Sequence, residues 1–498
     1  MKKAGKYVIL SLLLLLGLGC VGVLYLFFIP NSTLFNIKYI NLNEKVKSFN
    51  YNISNVSNIY VNSRAYEVNL LPSNTNSIYV EVYSNSFGFV HKDHSSTRID
   101  STLKNGNLTF DIKEPYGFAT KNSSYIRVYI PESSEVNVNL SNKKATTNID
   151  SPTLKIKDLN YSTSKGQFNF YQGEITGSLK LNLNKSKFIV HSKVKTNNNN
   201  VEIKMTTAKF IASDSTFGNI SIIENERGVI NVHECITITA NNENMKTAGG
   251  QININKINSQ ANIRTGDTIL TFGEVENATI DILNSGSVSI GTLNALSYIT
   301  TNTGNIHIEK CEGPAVLHTY SGNITIPSAK KKISVQTTTG SANITFSEDA
   351  DHYSPTDEYP SRILYARIYN GTLIAKGVEH VGVSNNANEV DFEGIKVTGV
   401  GKVDITMNNV CGENEIIGNN GNVNVVVNYQ SIYTLTTSSV LGNVRVNLLQ
   451  TSNFNGYTSK LSTQTNVNCN TISSNLLNVS THRGNLTLLD SMIYANGF

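Results

Sequence analysis

The sequence predicts an all-β fold. It reads as a single-stranded β-solenoid with coils of about 18–21 residues, a β-rich N-terminal cap, and one transmembrane helix ahead of both. Three observations carry that expectation. A five-residue phrase recurs along most of the chain: Gly, a small polar residue, then apolar–polar–apolar. The phrase returns at intervals near 20 residues. An uncharged run, residues 8–29, lies close to the N-terminus.

The apolar run comes first in the chain. Its 22 positions are mostly Leu, Val, Ile and Phe, and at about 1.5 Å per helical residue they match the hydrocarbon core of a bilayer. The run is long for a cleaved signal, and Phe28-Ile29-Pro30-Asn31 offers no small-x-small cleavage site. Cys20 is a poor lipoprotein site, because Gly17 stands where Leu is wanted and apolar residues follow the cysteine. Lys2, Lys3 and Lys6 precede the run, which places the N-terminus in the cytoplasm. The expected organisation is a cytoplasmic tail over 1–6, a single-pass signal anchor over 7–29 and a linker over 30–45. A β-rich cap follows over 46–145, then repeats over 146–498, all extracellular or lumenal.

The cap is rich in alternating segments such as Ile78-Tyr79-Val80-Glu81-Val82 but out of phase with the repeat. A stack of coils needs an atypical terminal unit, because its open end is an unpaired sheet edge. The repeats then show the phrase at Gly286, Gly304, Gly322 and Gly340, spaced by 18 residues, and at Gly401, Gly421, Gly442 and Gly484. The intervals among the second group are 20, 21 and 42, the last read as twice 21. Alternation turns Ile324 and Ile326 inward and Thr325 outward. One coil cannot bury its own apolar face, so coils must stack. The glycine suits a bend with positive φ. The residue after it (Asn305, Asn323, Asn422, Asn443) recurs at one register and suits a side-chain ladder. A string of β-sandwiches is the competing architecture, but its hairpins would show two-residue turn signals between paired strands.

Composition bounds function. The 498 residues carry a net charge of +4, with 16% charged, 39% hydrophobic and no Trp. Apolar residues are too frequent and too evenly spread for a disordered chain. The basic residues are too dispersed for a nucleic-acid surface. Asn is over-used, at 68 residues. With that composition, Asn-x-Ser/Thr sequons arise about as often as chance predicts, and Asn31, Asn52, Asn55, Asn122 and Asn370 are the candidates for glycosylation.

The phrase Gly106-Asn107-Leu108-Thr109-Phe110, the strand Val128-Tyr129-Ile130-Pro131 and the phrases at 304–308 and 322–326 together resemble the putative-adhesin domains of unknown function. Those β-solenoid domains are common in bacterial cell-surface and membrane proteins. The resemblance spans most of 45–498 and implies a surface-displayed binding or structural scaffold. It brings no catalytic residues and no cofactor.

Candidate chemistry is sparse. The segment from Glu348 to Glu358 interrupts the repeat, giving an insertion loop at about 347–362. Its carboxylates could attract a hard cation, but no Gly-anchored Asp-x-Asp loop with a terminal Glu is present. His91 and His94 lie three apart in a strand-and-loop context with no completing ligand. A carbohydrate-active enzyme on a parallel β-helix is the alternative function and needs clustered carboxylates. Asp214, Asp267, Asp281, Asp391 and Asp404 are instead scattered singly. The expectation is therefore a non-enzyme without cofactor or metal, taking an unknown protein or glycan along the ridged face of the stack. Cys235, Cys311, Cys411 and Cys469 are too far apart in coil number for disulfides and are expected as separate thiols.

Overall fold

The computed structural model describes residues 10–22, 35–36, 41–63, 67–91, 98–113, 117–122, 125–196, 198–241, 250–383, 392–448, 460–463, 467–469 and 473–496. The described chain is nearly all β. It divides into two compact units, Met1–Asn199 and Asn200–Phe498.

The membrane expectation meets only part of its segment. Residues 10–22 are helical, with Leu12, Leu15 and Leu18 exposed. No helix among the described residues is long and apolar enough to cross a membrane. Residues 1–9 and 23–34, which would complete the expected anchor and hold the sequon at Asn31, lie outside the described residues.

In the first unit, two parallel ladders run side by side. Asn107–Lys113, Asn58–Ser63, Val136–Asn142, the end of Thr146–Thr163 and Leu179–Asn184 pair in that order. Tyr125–Pro131, Glu67–Ser73, the start of Thr146–Thr163, Gln167–Ile175 and Lys187–Thr196 form the other ladder. The order in space is not the order in sequence. The coil over 58–73 is made first but lies between the later 107–131 and 136–149 segments. Side chains follow the spatial order, since Asn137 Nδ2 donates to Asn58 Oδ1 and Asn58 Nδ2 to Asn107 Oδ1, each at 2.8 Å. Antiparallel strands close this end: Arg98–Lys104 covers Asn107–Lys113, and Ser77–His91 joins Tyr125–Pro131 to Asn41–Asn52. Edges that would template another chain are thereby paired.

The second unit is also built of parallel ladders, at regular register. Val288, Ile306, Ile324 and Ala342 form one column, followed by Leu373, Val403 and Val423. Alternate residues face inward, so Ile306, Ile308, Ile324 and Ile326 are fully buried while Thr325 is not. At the far end the coil order is again broken. Val423 pairs with Leu486, and Leu486 with Val444. The coil over 476–490 thus sits between those over 413–427 and 434–447. The 42-residue interval from Gly442 to Gly484 is not two successive coils. The chain runs outward, adds Lys460–Thr463 and Val467–Cys469 as antiparallel edge strands, and returns inside.

The glycine column has a different cause from the expected bend. Of its members, Gly340 and Gly371 have positive φ, while Gly286, Gly304, Gly322, Gly421 and Gly442 do not. A Cβ on Gly304 would collide with the Gly286 carbonyl, one on Gly322 with Gly304, and one on Gly421 with Gly401. Close approach of stacked backbones therefore selects Gly. Buried Thr hydroxyls satisfy these carbonyls from the same coil and from the next: Thr301, three residues earlier, and Thr319, one coil on, donate to Gly304 O at 3.0 and 3.1 Å, and Thr481 donates across to Gly421 O at 3.1 Å. The asparagines after the glycines do link coils, but through the backbone. Asn305 Oδ1 accepts from Asn323 N and Asn323 Oδ1 from Ser341 N, both at 2.9 Å. Asn422 Oδ1 accepts from Asn485 N at 3.0 Å and Asn485 Oδ1 from Asn443 N at 3.1 Å, again in spatial order.

Candidate recognition cleft

Long connections follow two neighbouring strands of the second unit. One leaves Ala342–Phe346 and returns at Leu364–Asn370; the other leaves Leu373–Val378 and returns at Ile395–Val397. The first covers the outward face of the ladder beneath it. That face presents Tyr298, Val316, Ser334 and Tyr365 in successive register. At about 4.8 Å per coil the column is about 14 Å long. Two small side chains between two aromatic ones leave a trough. Tyr353, Pro355, Glu358, Tyr359 and Pro360 stand over it, and Lys332, His380 and Glu393 line its flank. The resulting cleft holds about 380 Å³, within the range of small-ligand sites.

A buried ion pair holds the cover in place. Glu379 accepts hydrogen bonds from His352 Nδ1 and Tyr353 N, both at 2.8 Å, and lies 3.5 Å from Arg362 Nε. Arg362 spreads its guanidinium over four carbonyl groups. Nε donates to Ala350 O and Asp351 O at 3.2 Å, Nη2 to Glu348 O at 3.1 Å, and Nη1 to Gly377 O at 3.3 Å. Both side chains are almost wholly buried. Ile363, Tyr365 and Phe392 form an apolar cluster beneath, with Tyr353 packed on it. The segment expected as a solvated loop is thus anchored at its base, while residues 355–359 remain exposed.

Electrostatics favours an uncharged His380. Burial lowers its pKa, opposed by the Cys411 carbonyl, which accepts from Nδ1 at 2.7 Å, and by Glu393. Because Nδ1 carries the proton, the neutral ring leaves Nε2 as an acceptor. Its ring stacks on Tyr353 at 4.6 Å. Lys332 lies 4.9 Å above the Tyr365 ring. Outside the cleft, Asp349 pairs with Lys330 at 2.9 Å and Asp351 with Lys331 at 3.7 Å. Among the described residues no group of three or more His, Cys, Asp or Glu is placed to hold a metal.

A second aromatic surface lies in the first unit. Tyr83 stacks on Tyr125 at 4.7 Å, and Arg127 lies over both rings. Its polar groups satisfy one another: Lys45 reaches Glu81 at 2.7 Å, and Tyr83 and Tyr129 donate to the same carboxylate. Burial raises the Glu81 pKa, but these donors outweigh it and the net shift is downward. This surface fastens the antiparallel end strands together.

The remaining sequence candidates are dispersed. Gly286, Gly304, Gly322, Gly340, Gly421 and Gly442 lie in the backbone column, away from the cleft lining. Asn52, Asn55 and Asn370 are exposed; Asn122 ends the strand Gly117–Asn122, with its side chain outside the described residues. His94 and Asp391 lie outside the described residues, as does the side chain of His91. Arg362, Glu379, His380, Glu393 and Ser334 were not singled out from the sequence. The available signal was the second long interval, from Gly371 to Gly401, which marks a second excursion beside the first.

No family model and no curated protein matches this chain. Among solved structures it is similar to a putative cell adhesion protein from Clostridium sporogenes, at 11% identity and a TM-score of 0.23, over 45% of this chain and 98% of that one. It is also similar to a putative adhesin from Parabacteroides merdae, at 12% identity and a TM-score of 0.15, over 73% of this chain and 97% of that one.

Proposed function

We propose that this chain is an adhesin-like surface protein whose stacked coils form a β-solenoid scaffold and whose cleft between the Tyr298–Tyr365 column and residues 353–360 is its recognition site. The observation that carries this reading is the clamped cover. The Arg362–Glu379 pair fixes an aromatic wall over a trough that bare coils would leave open to solvent. A rigid, preorganised cleft recognises ligand at lower entropic cost than a mobile loop. In this reading residues 7–29 anchor the chain in the membrane with the N-terminus cytoplasmic, and the rest is displayed outside. The cleft binds and does not turn its ligand over, so bound molecules are recovered intact.

The test is adhesion by cells that display the full chain, on arrays of matrix proteins and glycans. Display-dependent adhesion should be lost when the trough is filled by Val316→Trp. Adhesion unchanged by that variant would refute the cleft as the site. A C-terminal tag protected from protease on intact cells would refute the topology. Chemically altered ligand would move the protein to the carbohydrate-active enzymes.

A further inference from the structure

The cleft contains one polar group with no use inside the protein. Ser334 is 1% exposed, and its hydroxyl has no hydrogen-bond partner. It points outward from its strand, because Ile333 and Val335 on either side are the inward residues of the column. Val316 and Tyr365 flank it in register, and the covering segment lies over this outer face. Buried hydroxyls are nearly always paired, and one left unpaired on the floor of a cleft points to a partner from outside.

The surroundings restrict that partner. Tyr298 and Tyr359 both line the cleft and remain 43% and 41% exposed. An exposed ring beside a trough is a stacking platform with an apolar face and a polar edge. Glu358 and Glu393 contribute acceptors, Lys332 a donor, and His380 an acceptor at Nε2. With His380 neutral, two carboxylates outweigh one ammonium, so an anionic ligand is disfavoured. A flat ligand rich in hydroxyls, uncharged and about 14 Å long, matches the length of the trough, its exposed rings and the unpaired Ser334 hydroxyl.

We infer that the cleft binds a short, uncharged oligosaccharide, stacked on Tyr298 and Tyr359 and hydrogen-bonded by the Ser334 hydroxyl. The inference rests on the reading of the cleft as the recognition site and adds the chemical class of its ligand.

Titration calorimetry of the full chain in detergent tests it. The probes are cellotriose, chitotriose, maltotriose, xylotriose and mannotriose, with 3′-sialyllactose as the anionic comparison. At least one neutral trisaccharide should bind, and 3′-sialyllactose should bind more weakly. Tyr298→Ala and Tyr359→Ala should each weaken binding about tenfold, while Tyr359→Phe retains it. Ser334→Ala should weaken binding with unchanged thermal unfolding. Because both tyrosines are exposed, their variants keep the fold, and the melting curve checks this. Failure of every neutral trisaccharide to bind overturns the inference, as does binding indifferent to Tyr298→Ala and Tyr359→Ala. If cell adhesion is lost on filling the trough yet no trisaccharide binds, the ligand class falls and the cleft stands. If adhesion ignores the trough, both fall.

Discussion

Replacing Arg362 by Met removes the guanidinium and keeps most of the side-chain volume. Four carbonyl groups, those of Glu348, Ala350, Asp351 and Gly377, then lose a donor, and Glu379 keeps a buried carboxylate without its cation. Leaving one partner of a buried ion pair uncompensated costs about 3–5 kcal/mol. The loss falls mostly on one segment, since three of the four carbonyls lie within 347–362 and Glu379 itself holds His352 and Tyr353 of that segment. It should therefore appear as local opening and not as global unfolding. At about 1.4 kcal/mol per factor of ten, opening becomes roughly a hundred- to several-thousand-fold more frequent. Chymotrypsin cleavage after Tyr353, followed by mass spectrometry, reads that change. Arg362→Lys should be intermediate, because an ammonium cannot reach four carbonyls in the plane of one fork. Arg362→Met with Glu379→Leu should recover part of the protection, because no buried charge is then stranded. If the single Met variant is cleaved at the wild-type rate, the clamp does not hold the cover, and the rigid cleft inferred from it is wrong.

Three further outcomes follow from the packing. Ile324→Asp buries an unpaired charge in a fully enclosed column and should cost several kcal/mol in denaturant unfolding, whereas the outward Thr325→Asp should cost less than about 0.5 kcal/mol; equal costs would refute the register. Cys235 and Cys311 are buried free thiols, each with its pKa pushed up to about 12 by burial first and a neighbouring Glu second. Neither should react with iodoacetamide before unfolding, and both should react after it. His380 has its folded pKa held below 6.5, so its contribution to stability is present above that value and is lost as pH falls through the depressed pKa. Thermal stability should drop on acidification, and the part of the drop missing in His380→Gln belongs to this ring; the half-buried His318 titrates in the same direction and supplies another part.

The sequence made the repeat visible because each coil must satisfy the same local constraints. Ile306, Ile324 and Ala342 occupy one column, and the glycines before them mark one point of close approach. The cause of those glycines was not legible. Positive φ is a property of one residue, whereas the collision of Gly304 with the Gly286 carbonyl exists only between stacked coils. The cysteine spacing was legible: Cys235 and Cys311 share one column, separated by Ile257, Val275 and Leu293. That is four coils, or about 19 Å, and well beyond disulfide reach. The cleft was hidden for a related reason. Its floor is a vertical column and its clamp joins residues from two separate excursions, so no linear motif contains it. The interruption at 347–362 was visible, but neither Arg362 nor Glu379 differs from an ordinary surface charge until the coils bring them together.

The ends of the two units show the same limit and suggest its physical reason. A stack built strictly in chain order finishes on whatever coil is made last, and its exposed edge can template aggregation. Here an inner coil is instead flanked by neighbours made out of order. In the first unit the inner coil, 58–73, comes first and the outer coil, 107–131, is added afterwards with its antiparallel strands; in the second the chain lays down the outer coil, adds antiparallel strands to it, and returns to fill the inner position with 476–490. Asparagine hydrogen bonds record the spatial order in both places, through Asn137–Asn58–Asn107 and Asn422–Asn485–Asn443. These residues obey the repeat rule for nearest neighbours in space, although the neighbours are 63 and 42 residues apart in sequence at the far end. A periodic pattern thus specifies what each coil must look like, while leaving open which coil lies beside it. The long closure needed at each end costs chain entropy during folding. In return each unit is closed at that end by antiparallel strands, with a coil that both of its neighbours hold in place.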